Sequence, residues 1–131
     1  MIPEKAVNLL NDPEATKVLT TVSKDGTPHS IVIGSMMAPD ENTVCAAEIL
    51  MQTTAKNLEA NKNIAALAVK GTESYLVNAE VLERQVGGEL FDQVAAETEK
   101  MGLTTRAVWL FKPTAVYDQS AGPNAGTKIS G

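Results

Sequence analysis

The chain has 131 residues, of which 44% are apolar and 21% charged, a balance that excludes disordered and fibrous classes and leaves room for one core. A net charge of −5 argues against nucleic acid as a partner, because Lys and Arg must displace the phosphate counterions there. The single cysteine, Cys45, excludes an internal disulfide, and with His29 as the one histidine no zinc site of the usual composition can be assembled.

The start "MIPEKAVNLL" has no run long enough for a signal peptide or a membrane span, so a cytoplasmic protein without membrane contact is expected. Ala6, Val7, Leu9 and Leu10 fall at helical spacing after Pro3, which predicts a short leading helix closed by "NDP". From Thr16 to Ser23 β-branched residues dominate, "KDGT" follows, and "PHSIVIGSMM" resumes the apolar run. That is the signal of a hairpin turning at Asp25-Gly26. "APDEN" makes a second turn and "TVCAAEIL" a third strand.

The segment from Thr54 to Asn61 predicts a short helix with Ala55 and Leu58 inward, followed by the strands "NIAALAVKG" and "ESYLVNAEVLER". Between Gly88 and Met101, Leu90, Phe91, Val94, Ala95 and Met101 share one helical side, and Gly102 supplies a stop. "TRAVWLFKPTAVYD" then predicts one or two strands interrupted at Pro113, and residues 119–131 form a small-residue tail. With many antiparallel strands and few helices, a nearly closed barrel is the economical way to remove exposed edges. The expected class is α+β, a single domain over residues 1–131 with six or seven antiparallel strands and two or three flanking helices.

Few side chains suggest catalysis. His29 follows Pro28 at a strand start and reads as an exposed surface residue, while Cys45 in an apolar strand reads as a packing thiol. Neither a P-loop nor a strand-linked G-x-G-x-x-G is present, and no catalytic residue is assigned. Two stretches stand apart. In "ILMQTTAKNL" an apolar strand gives way to Gln52, Thr53, Thr54 and Lys56 at a helix start. There the hydroxyls, the free N–H groups and the amine can receive a phosphate, or Thr53 can simply cap the helix. In "IVIGSMM", Gly34 within a strand marks either a barrel bend or a close approach to the backbone, and Ser35 offers a hydroxyl beside it.

The chain resembles the FMN-binding split-barrel family of pyridoxamine 5'-phosphate oxidase-like proteins. The resemblance rests on "VLTTVSKDGTPHSIVIGSM", on "TVCAAEILMQTTAKNLEANKNIAALAV" with its T-x-x-NL-x-x-N pattern, and on "VYDQSAGPNAG". It implies a Greek-key split barrel that binds FMN in a cleft at a homodimer interface. Ile33, Gly34, Ser35, Ile49 and Leu50 would line the ring or ribityl chain, and Gln52, Thr53, Thr54 and Lys56 would hold the phosphate. Trp109 could pack on the partner's flavin, although a core position suits a tryptophan better. The end "GPNAGTKISG" lacks the Arg- and His-containing substrate segment of the longer pyridoxamine phosphate oxidases. The expected activity is therefore that of a small flavin-dependent oxidoreductase or electron carrier acting on a small-molecule donor or acceptor, rather than vitamin B6 oxidation. The alternatives are a dimeric binding module without turnover, or the same barrel holding a deazaflavin or, with only one imidazole available, less suitably a haem.

Overall fold

The computed structural model describes all residues, Met1–Gly131. In chain order the elements are α1 (Glu4–Leu10), β1 (Thr16–Val22), β2 (Pro28–Val32), β3 (Met37–Asp40), β4 (Thr43–Glu48), α2 (Thr53–Ala60), β5 (Asn63–Lys70), β6 (Glu73–Gln85), α3 (Glu89–Glu99), β7 (Ala107–Asp118) and β8 (Thr127–Ser130). All pairings are antiparallel, in the order β2-β1-β5-β6-β7-β4-β3, with β8 added to β7. The α+β split barrel expected from the sequence is present, with eight strands instead of six or seven.

Two corrections account for the extra strands. The run "PHSIVIGSMM" is not one strand: it stops at Val32, turns at Gly34-Ser35 and restarts at Met37, so Gly34 lies between strands and not within one. The tail is not structureless either, since Thr127 to Ser130 pair with β7 from Val116 to Asp118. Pro113 does not interrupt β7. It sits at a register shift against β6, in the gap between the β4 ladder, which ends at Phe111, and the β8 ladder, which begins at Val116. A residue without an N–H is tolerated at such a bulge.

The hairpin joining β1 to β2 forms where the turn residues placed it. Gly26 takes φ +88°, its N–H reaches the Ser23 carbonyl at 3.0 Å, and the Ser23 N–H donates to the Thr27 carbonyl at 2.9 Å. Strand β5 alternates buried Ile64, Ala66 and Ala68 with half-buried Ala65, Leu67 and Val69, the period of two that one packed face produces. The buried set joins Leu19, Met36, Val44, Val77, Trp109 and Phe111 in the main core.

Helices close the barrel ends. Leu9 and Leu10 of α1 enter the core, and Asn11 clamps α1 to β3, donating from Nδ2 to the Ala38 carbonyl at 2.9 Å and accepting the Ala38 N–H at 2.8 Å. At the other end α2 packs through Leu58, Thr54 and Asn57, whereas Ala55, expected inward, is only half-buried. The reason is hydrogen bonding: Asn57 Nδ2 donates to Thr21 Oγ1 of β1 at 3.0 Å, so a polar side chain is carried inside with its partner. Helix α3 lies over β4 and β7, where Val94 meets Cys45, Ala47, Val108 and Leu110 in a second cluster. It buries Val94 and Thr98 while Met101 is 69% exposed, so the apolar face read from the sequence is only partly a core face. Gly102 at φ +75° ends it in a Schellman motif, with N–H bonds from Gly102 to the Glu99 carbonyl (2.9 Å) and from Leu103 to the Thr98 carbonyl (3.1 Å). No helix is long and apolar enough to cross a membrane.

Candidate cofactor cleft at the barrel split

Strands β2 and β3 follow one another in the chain yet occupy opposite ends of the sheet order, so residues 33–36 carry the backbone across the split. A cavity of about 700 Å³ opens there, within the range of small-molecule sites. Three segments wall it: the end of β2 with the Gly34-Ser35 turn, the passage from β4 to α2, and the C-terminal end of α3. Ile33, Gly34, Ser35, Ile49, Leu50, Gln52, Thr53 and Thr54 all line it. Lys56, grouped with them in the sequence reading, is exposed outside the lining.

The turn is held from both sides. The Ile33 N–H donates to the Lys17 carbonyl at 2.9 Å, and Ser35 Oγ accepts the Ala47 N–H at 3.1 Å. Ser35 therefore fixes the turn to β4 while its own O–H remains available as a donor. Gly34 has open space where a Cβ would stand, so its lack of a side chain keeps the cleft wall low without any steric demand for glycine.

Across the cleft, α2 begins at Thr53, with Gln52 as the residue before it and no side-chain oxygen capping the first turn. The capping role considered for Thr53 is thus not used. The first intrahelical bond is that of the Lys56 N–H to the Gln52 carbonyl at 3.1 Å, which leaves the preceding N–H groups without intrahelical partners beside the cavity-lining Thr53 and Thr54. Such a terminus carries partial positive charge and suits an anion. Between the two polar edges lie Ile33, Ile49 and Leu50, the last 85% exposed. Apolar body and anionic end are what this arrangement can receive.

Beneath the cleft floor, at the end of β4, Glu48 is buried. Its Oε1 accepts the Trp109 Nε1–H at 2.8 Å and the Arg84 Nε–H at 3.2 Å, and its Oε2 accepts from Arg84 Nη2 at 3.0 Å. The Arg84 guanidinium, followed by the indole N–H, holds the Glu48 carboxyl below its usual range against the opposing effect of burial. Trp109 is thereby a core residue, 4% exposed. Cys45 is fully buried and its thiol is pushed up to about 11, consistent with packing.

Several positions at or behind the cleft escaped the sequence reading. His29 is half-buried and lines the cavity instead of standing on the surface. Thr98, Met101 and Leu103 form the third wall; helical periodicity could assign the first two to a face but not to a cleft, and Leu103 lies past the helix end. Asn57 orients the helix start through Thr21; its signal was the T-x-x-NL-x-x-N spacing, which puts Thr54, Asn57 and Leu58 on one side.

An antiparallel barrel left open along one seam, with a helix N-terminus and an apolar strip meeting at that seam, defines a split barrel. The chain belongs to the pyridoxamine 5'-phosphate oxidase family, whose sequence pattern matches residues 2–120. Among solved structures it is similar to HupZ of Group A Streptococcus (23% identity, TM-score 0.81, covering 96% of this chain and 100% of that one). It is similar also to an FMN-binding protein of Syntrophomonas wolfei subsp. wolfei (19%, TM-score 0.83, 91% and 86%). A third likeness is to an F420 reductase (21%, TM-score 0.67, 88% and 98%). A search of curated proteins finds no match.

Proposed function

We propose that this chain is an FMN-binding flavoprotein with a redox role, a small oxidoreductase or electron carrier that works as a homodimer. The observation that carries the reading is the cleft itself: the α2 N-terminus with Thr53 and Thr54, the Ile33, Ile49 and Leu50 strip, and the Gly34-Ser35 turn line one cavity. The phosphate belongs at the helix start, where N–H groups and hydroxyls donate to it, and the flat ring belongs against the apolar strip with the turn's polar atoms at its edge. Bound flavin supplies the electron transfer; the chain binds it, orients it and limits its access to water.

Two features support the dimer. Leu50 and Val32 stand at the cleft mouth 85% and 74% exposed, and the helices bury their apolar residues elsewhere, leaving Val18, Leu67 and Leu76 half-buried on the outer sheet face. A second copy over this region covers the apolar surface and closes the cleft.

Titration of the purified chain with FMN tests the reading by quenching of flavin fluorescence. Thr53→Ala combined with Thr54→Ala removes two hydroxyl donors to a charged acceptor and is expected to weaken binding by at least about tenfold. Unchanged affinity in the double variant refutes the phosphate assignment. The F420 reductase likeness favours a deazaflavin as the second reading, and the absorbance spectrum of the protein purified with its cofactor separates the two. A flavin that binds but cannot be reduced by NAD(P)H or dithionite leaves a binding module without turnover.

A further inference from the structure

A second cavity, of about 870 Å³, lies on the far side of the Gly34-Ser35 turn, between α3 and the start of β1. It shares Gly34, Ser35, Thr98 and Met101 with the cofactor cleft, so the two spaces are separated by little more than one turn of backbone. Its remaining walls include Met36, Met37, Leu90 and Val94. Asn11, Gln93 and Glu97 also line it, and one cation enters this mixed setting. Strand β1 alternates, and Lys17 falls on the inner side with Leu19 and Thr21. The residue is only 7% exposed, and its carbonyl already holds the turn through the Ile33 N–H at 2.9 Å.

No ion pair or side-chain hydrogen bond takes the Lys17 ammonium. Asp12, whose charge reaches it, is bound to Lys70 at 2.8 Å, and Glu97 on the cavity wall is bound to Lys100 at 3.1 Å. No fully buried polar side-chain atom lacks a partner, so the unpaired ammonium is reached by solvent, and Lys17 is one of the residues that line the cavity. Partial burial pulls its pKa down against the opposing charge of Asp12, the direction expected of a lysine that no ion pair holds.

We propose that this cavity binds a small organic monoanion, an apolar body carrying one carboxylate, with the carboxylate on Lys17 and the body against Met37, Leu90 and Met101. A role as co-substrate of the adjoining flavin rests on the function proposed above; the binding itself does not.

Calorimetric titration of the full chain with octanoate and, separately, with 1-octanol tests it. The wild type is expected to bind the carboxylate at least about tenfold more tightly than the alcohol, the worth of one charge-assisted contact. Lys17→Met keeps the buried stem, removes the charge and is expected to abolish that preference, while Lys17→Arg preserves it. Melting temperature checks that both variants fold. Equal affinity of the wild type for the two probes overturns the proposal, as does a preference that survives in Lys17→Met. Octanoate preference in a chain that takes no FMN sinks the flavin reading and leaves this site standing.

Discussion

Replacing Glu48 by Gln perturbs the anchor beneath the cleft without changing its shape. Three hydrogen bonds converge on the carboxylate, from Trp109 at 2.8 Å and from Arg84 at 3.0 and 3.2 Å. Glutamine keeps one oxygen for the indole, but that bond weakens from charged to neutral, about 0.5–1 kcal/mol. Its amide also presents donors to a guanidinium that can only donate. The Arg84 side chain is 39% exposed, so solvent screening limits that loss to about 1 kcal/mol. The sum, about 1–2 kcal/mol at pH 7, corresponds to a fall in melting temperature of roughly 3–8 °C for a chain of this size. The pH dependence has a definite sign. The folded-state pKa of Glu48 is depressed, so its contribution is fully present above its ordinary value of 4.5 and is lost as pH falls through the folded value. The two proteins should therefore converge in strong acid, where the wild-type carboxyl is itself neutral. Urea unfolding at pH 7 and in steps below pH 4.5 measures both effects. A deficit below about 0.5 kcal/mol at pH 7, or one that persists unchanged in acid, refutes the assignment of Glu48 as a charged anchor.

Other consequences can be checked with equal economy. Asn57→Ala leaves α2 without its tie to Thr21 and should cost about 1–3 kcal/mol in chemical denaturation, and a double-mutant cycle with Thr21→Val should show coupling of at least about 0.5 kcal/mol. The same variant should also weaken FMN binding, because the helix start it orients lines the cleft. Leu50→Glu places a charge at the most exposed apolar position; under the proposed dimer, sedimentation should show a shift to monomer, and an unchanged dimer would move the interface elsewhere. Cys45 should resist a thiol-specific reagent at pH 8 in the native state and react promptly in denaturant, because its thiol is buried and its pKa is about 11.

Where local chemistry decided the structure, the sequence was readable. Asp25-Gly26 announced the β1–β2 hairpin because only a few residues accept a positive φ, and Gly102 marked the end of α3 for the same reason. The junction between β4 and α2 was readable because an abrupt change from apolar to hydroxyl residues coincides with it. The break after Val32 was not, since the apolar run continues through Ile33, Met36 and Met37 and nothing local says that the second half pairs with a different strand. Position Ala55 misled because apolarity was taken as the sign of burial, whereas Thr54 and Asn57 go inside with their polar groups accounted for. Met101 fits a helix face by period, but only tertiary placement reveals that the face borders a cavity. Strand β8 is short and lies at an edge, where small and polar residues suffice.

The four residues that cross the split have a consequence for the order of assembly. Strand β2 depends on β1, and β3 on β4, but the two pairs are brought together only when β5, β6 and β7 have formed the arc between them. Pairings of such long sequence separation come late, after loop-closure entropy has been met by the more local hairpins. The ligand cleft is thus the final joint of the barrel and the first to reopen when the fold breathes. A molecule seated there acts as a clasp across the seam, and slower hydrogen exchange in residues 28–40 on binding would be the signature of that coupling.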